Sequence, residues 1–223
     1  MRLLIKYEDF VEALNECGFL MFASGQLLSM GDMTRPEAWH TTPEDEDPWG
    51  WKDRLALSRE GVYARAIGGL NSFISLKWHP RFIAAFTPPR ALARRYQEGT
   101  VPPMAMKMGE LFDSRLTWAR HELSDALGVK RPQKGKFVGA LTLLQREMAI
   151  VVSGSSQRTS DMGAPIGWPS MEYTRTDAYF PEAVAAAREQ NRADSRQIIV
   201  DQALKLSPGL SGKDIARLFP DWT

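Results

Sequence analysis

The chain has 223 residues, 43% of them apolar, so it can bury a sizeable core in one large domain or two small ones. Its 28 basic and 27 acidic residues leave a net charge of +1, which excludes bulk electrostatics as an argument for a polyanionic partner; any such partner must be met by a local patch. A single cysteine excludes an intramolecular disulfide, and no apolar run is long enough to span a bilayer or form a signal-peptide core. These features together predict a cytoplasmic, non-membrane protein.

In chain order, Phe10, Val11, Leu14 and Cys17 recur at helical spacing and predict a first helix over Tyr7 to Glu16, stopped by Gly18, with Cys17 a buried, inert thiol. Phe19 to Phe22 fits a buried strand or a packed loop. Residues 31–47 carry six acids against Arg35 and are broken by Pro36 and Pro43, which predicts a surface loop. Pro48 then opens a helix carrying Trp49 and Trp51, read first as structural anchors and alternatively as stacking platforms for a base.

Residues 62–86 fit two short strands and a helix. Arg81, Arg90, Arg94 and Arg95 form one basic run, by default a solvated helix face, and Pro102-Pro103 marks the candidate boundary. Beyond residue 180, an alanine-rich helix over Pro181 to Arg192, a second over Ser195 to Leu206, and a capping box at Ser211 and Asp214 predict C-terminal helices packed back onto the rest. The division is therefore 1–103, 104–180 and 181–223.

The middle division predicts a winged helix-turn-helix. Met104 to Ser114 is its first helix, and Trp118 to Leu127, capped by Thr117, its second. After a turn over 130–135, Lys136 to Ala149 is the third, with Phe137, Leu141, Leu144 and Met148 inward and Lys136, Thr142, Gln145 and Arg146 outward. Ile150 to Val152 and a return through Ile166 to Trp168 and Met171 to Tyr173 supply the wing. The fold class is thus α+β, mostly helical.

Lys130, Arg131, Lys134, Lys136 and Arg146 face no acid between Asp125 and Glu147. Such a patch suits the phosphates of double-stranded DNA, with Gln145 and Arg146 able to read base edges and Arg158 at the wing able to enter a neighbouring groove. The three histidines stand at no metal-ligand spacing, and no phosphate cradle or nucleophile elbow is present, so neither a metal nor a cofactor is expected. His79 is read as a packed side chain.

Glu16-Cys17-Gly18-Phe19, Asp47-Pro48-Trp49-Gly50-Trp51-Lys52, Phe73-Ile74-Ser75, Gly135-Lys136-Phe137 with Leu144-Gln145, and Gly167-Trp168 give a resemblance over residues 8–180. By these motifs the chain resembles the bacterial AlkZ-related proteins, relatives of the winged-helix DNA glycosylases. The resemblance implies a winged-helix protein that binds or acts on DNA, linked to DNA repair. The glycosylases carry a glutamine followed two residues later by glutamine or aspartate; Gln145-Arg146-Glu147 departs from that pattern, so no catalytic residue is carried over and Glu147 is read as a surface residue. Three functions stay open: a DNA-binding protein, a glycosylase-like enzyme acting on damaged bases between Trp49, Trp51 and the wing, and a protein-interaction module whose third helix is covered.

Overall fold

The computed structural model describes residues 2–23, 25–160, 162–220 and 222. The chain begins with α1 (Tyr7–Cys17), which buries Tyr7, Phe10, Ala13 and Leu14. Asp9 accepts hydrogen bonds from the backbone N–H of Ile5 and Lys6, both at 3.1 Å, and so satisfies donors at the helix start. Gly18 ends the helix at φ +86°, and a β-carbon there would lie 2.4 Å from Trp78 Nε1, so backbone and neighbour both demand glycine. Cys17 is half-buried rather than fully enclosed, and burial pushes its thiol pKa up.

β1 (Phe19–Met21) decides the strand-or-loop question in favour of a strand. Residues 31–47 then make three short 3-10 turns, and α2 (Pro48–Ser58) starts on Asp47, whose carboxylate accepts from Trp49 N at 3.0 Å. β2 (Gly61–Ile67) and β3 (Leu70–Ser75) form a hairpin whose two-residue turn, Gly68-Gly69, has positive φ at both positions. α3 (His79–Phe86) and α4 (Leu92–Gln97) complete the N-terminal part.

Residues 103–175 run in the order α5 (Pro103–Ser114), β4 (Thr117–Ala119), α6 (Arg120–Ala126), α7 (Lys134–Arg146), β5 (Ile150–Thr159) and β6 (Pro165–Arg175). Thr117 does not cap a helix. It pairs in the sheet with Thr174, hydroxyl to hydroxyl at 2.9 Å, and the helix begins only at Arg120, where the Glu122 carboxylate accepts from Ala119 N at 2.9 Å. α7 ends at Arg146 rather than Ala149, because Met148 turns left-handed at φ +56° and redirects the chain into β5. Both strands expected for the wing are longer than predicted: the strand leaving α7 continues to Thr159 and the return begins at Pro165.

The C-terminal part is α8 (Thr176–Tyr179), α9 (Pro181–Ala187), α10 (Arg192–Leu206) and α11 (Gly212–Leu218). Asn191 caps α10, accepting from Ala193 N and Asp194 N, so that helix starts three residues before Ser195. The capping box at Ser211 and Asp214 opens α11 as expected.

The six strands make one antiparallel sheet in the order β1-β3-β2-β5-β6-β4, continuous across residue 103. Alternation along β2 sends Tyr63 to one face and Val62, Ala64 and Ala66 to the other. On the first face Phe10, Leu14, Trp51, Phe73, Met108, Phe137 and Leu144 form one core. On the second, Phe82, Ile199, Ala203 and Phe219 seat α3, α10 and the C-terminal segment. The molecule is a mixed α/β fold with helices on both faces of the sheet.

His79 lies fully inside this second layer, edge-on to the Phe180 ring at 4.9 Å, and burial lowers its pKa to about 3. The folded imidazole stays neutral while the unfolded one protonates below its ordinary value near 6.5. Between these limits the unfolded chain binds more protons, so this contribution is complete above pH 6.5 and is lost as pH falls toward 3, at up to about 1.4 kcal/mol per pH unit. We expect urea unfolding of His79→Phe to be less sensitive to acid than wild type between pH 6.5 and 4.5; parallel profiles would contradict a neutral buried imidazole.

Candidate nucleic-acid interface

α7 presents one stripe, Lys134, Val138, Leu141 and Gln145 at spacings of four, three and four, to an indentation bounded by the β5–β6 hairpin. Near the start of α7 this is a groove of about 630 Å³ lined by Arg120, His121, Lys134, Val138, Arg158 and Ser170. Arg120, Val138 and Ser170 also line a cavity of about 430 Å³ that continues toward β2 and β3. Groove and cavity therefore adjoin.

The cavity is walled by Tyr63, Arg65, Asn71, Gln145 and Tyr173, with Trp168 of the hairpin among its lining residues. Gln145 is tethered there: its Oε1 accepts from Arg65 N at 3.2 Å and its Nε2 donates to Leu141 O at 3.0 Å. The Arg65 side chain is fixed by Asn71 Oδ1 and Thr142 Oγ1, each at 3.3 Å. The Tyr63 hydroxyl is buried and has no hydrogen-bond partner, and desolvation raises its pKa. Tyr173 is shifted in the same direction by burial.

The hairpin displays Trp168 with 92% of its surface exposed. Gly167 before it adopts φ +68°, and Gln157 Nε2 donates to the carbonyls of Ile166 and Gly167, each at 2.9 Å, which fixes the turn of chain that carries the indole. In the groove, His121 Nδ1 lies 2.6 Å from Ser170 Oγ.

The predicted site residues divide among several environments. Lys130, Arg131, Lys134 and Lys136 are exposed and Arg146 is half-buried, and none of the five has an ion-pair partner among the described residues. Lys134 and Lys136 flank the exposed face of α7, and only Lys134 lines the groove. Arg158 is held by Asp125 at 2.7 Å, with both side chains largely in solvent, where such a pair is weak and can exchange for a phosphate. Gln145 is not on the outer surface; it is 2% exposed and covered by β2 of the same chain. The covering of this part of α7 is thus internal.

Trp51 is 1% exposed, stacked on Phe10 at 5.7 Å, with its N–H donated to Asp45 O at 2.9 Å, so it is an anchor and no base can reach it. Trp49 is partly exposed, but the Lys52 ammonium sits 4.3 Å over its ring and its other neighbours are Phe22 and His40. Neither tryptophan lines the cavity. In the other basic run Arg90 and Arg94 pair with Glu98 and Arg95 with Glu147, while Arg81 lies 5.5 Å from the Trp78 ring with no carboxylate partner among the described residues.

Glu147 is not a surface residue. It is 8% exposed and takes both Arg95 guanidinium nitrogens, at 2.6 and 2.7 Å, beside a separate hollow between α4, α5 and α9. Gln145 and Glu147 thus face different cavities and do not jointly hold one water molecule. Glu147→Ala strands a largely buried guanidinium and is expected to lower stability by about 3 kcal/mol in urea unfolding, whereas Arg95→Met with Glu147→Leu recovers most of it. A near-neutral Glu147→Ala would contradict the pairing.

A family model described as AlkZ related matches residues 4–220. The chain belongs to this family. The match extends the resemblance carried by the motifs toward both ends. The solved structure of the Streptomyces sahachiroi DNA glycosylase AlkZ is similar to this AlkZ-related chain at 11% identity and a TM-score of 0.44, over 79% of the chain and 51% of the glycosylase. The chain thus spans about half the length of that protein. No curated protein sequence matches it.

Sequence patterning missed Arg120, Tyr63, Arg65 and the exposure of Trp168. Arg120 was available in principle, since Glu122 offers a cap to Ala119 and would start the helix after it. The others meet only through β2, α7 and the hairpin, which local spacing does not encode. Among the described residues, no helix is long and apolar enough to cross a membrane, and no cluster of three His, Cys, Asp or Glu side chains is placed to hold a metal.

Proposed function

We propose that residues 104–180 act as a winged helix-turn-helix that binds double-stranded DNA, with residues 1–103 packed beside it and 181–223 as an outer helical layer. The observation that carries this reading is the set of unneutralised cations, Lys130, Arg131, Lys134, Lys136, Arg146 and Arg120, distributed around α7 and its groove, when three of the four arginines of the other basic run, Arg90, Arg94 and Arg95, are internally paired. The three-helix and hairpin order, with β4 paired to the far strand of the hairpin, supports it.

In this reading the cations meet phosphates and set register on the duplex, while Arg158 exchanges Asp125 for a phosphate as the wing engages. Family membership supports a setting in DNA repair. Fluorescence anisotropy with a labelled duplex tests the reading: binding that weakens with salt and with loss of Lys134 and Lys136 supports it, and the absence of binding at low salt refutes it.

A further inference from the structure

The cavity beside Trp168 differs from the groove that leads to it. Its walls are aromatic and amide-bearing rather than uniformly basic: Tyr63, Tyr173, Asn71 and Gln145, with Arg65 held in place and Arg120 at the junction. At about 430 Å³ it falls in the range of small-molecule sites, roughly 300–1,000 Å³. Tyr63 is 1% exposed, and its hydroxyl lacks a partner, a state that a ligand hydrogen bond would relieve. Trp168 holds an indole almost wholly in water at the same place. An exposed, backbone-fixed ring next to buried hydrogen-bonding groups suits a flat heteroaromatic ligand that stacks on one side and is read along its edge.

We infer that this cavity receives one unpaired nucleobase from the DNA in the adjoining groove and holds it without cleaving its glycosidic bond. The inference rests on the DNA-binding reading and narrows it to duplexes with an unpaired nucleotide. Gln145 retains one amide N–H and one oxygen lone pair beyond its two internal hydrogen bonds, enough to meet a base edge. Arg120, shared by groove and cavity, stands where the backbone phosphate of that nucleotide passes between them. Extruding a base that lacks a partner costs less than breaking a pair, so the cavity favours bulged or unpaired positions over continuous duplex. Among the described lining residues Gln145 has no second glutamine, aspartate, glutamate or histidine beside it to hold and activate a water, and Glu147 is committed to Arg95 in another hollow. Retention rather than hydrolysis follows from that chemistry.

The experiment compares a paired duplex with the same duplex carrying one bulged 2-aminopurine, by anisotropy and by 2-aminopurine fluorescence. Wild type is expected to bind the bulged duplex about tenfold more tightly, with the fluorescence quenched on stacking; Trp168→Ala and Tyr63→Phe each reduce the preference. Trp168 is on the surface, so its replacement leaves the fold intact. Equal affinity for the two duplexes, with salt-sensitive binding retained, would overturn the cavity assignment alone. No binding to either would overturn the DNA reading as well. Alkali-labile strand breaks at the bulge after incubation would overturn retention without cleavage.

Discussion

Trp51→Ala is expected to lower the unfolding free energy by about 3–5 kcal/mol, the range for removing a large aromatic side chain from a packed core. The ring is enclosed by the first-face core and stacked on Phe10, and its N–H donates to Asp45 O, which with the Arg54–Asp45 pair holds the acidic stretch against α2. Truncation leaves a void between α1 and α2 and an unpaired carbonyl at Asp45, two penalties that add. With typical domain stabilities of roughly 5–15 kcal/mol, the variant sits near the edge of folding at 37 °C. Trp51→Phe keeps most of the packing and loses the hydrogen bond, so it falls between the two. Urea denaturation followed by circular dichroism measures the series; a Trp51→Ala loss below about 1 kcal/mol would mean that the ring is not the anchor the packing makes it.

Neutralising Lys134 and Lys136 together, as Lys134→Gln with Lys136→Gln, is expected to weaken duplex binding about 30-fold at 0.15 M salt. Each lost phosphate contact forgoes the release of about 0.9 counterions, a factor of about five at that concentration, and the two factors multiply. Both lysines are exposed and free of carboxylates, so their loss disturbs neither packing nor an internal pair. The glutamate versions weaken binding further by repelling the backbone. The same double substitution lowers the magnitude of the salt slope by about two. An unchanged affinity in the glutamine double variant would remove the start of α7 from the interface.

The fold was legible in the sequence wherever it rests on local chemistry. Pro48 and the Ser211–Asp214 box act within a few residues, and the helices they open start where they place them. The inward positions Phe137, Leu141 and Leu144 of the third helix likewise follow from spacing, whereas Met148 falls past the end of α7 and joins the core of the other face. Elements that depend on distant partners were not legible. Thr117 to Ala119 become a strand because Thr174 to Glu172 lie alongside, 57 residues away at Thr117, and the Glu147 carboxylate is drawn inward by Arg95, 52 residues before it. Gln145 shows the limit most directly. Helical spacing puts it one turn past Leu141 at the rim of the apolar stripe, and only the position of β2 decides that this rim is covered. Trp168 was visible as a motif residue, but its exposure depends on the hairpin geometry that Gly167 and Gln157 set.

The measurement closest to the central claim is the dependence of duplex affinity on salt for the unmodified chain. About five cations engaged with phosphates predict a slope of log Kobs against log salt of about −4 to −5 between 50 and 200 mM, with measurable binding at the lower end. A slope indistinguishable from zero, or no binding at 50 mM salt, would contradict the assignment of this face to DNA.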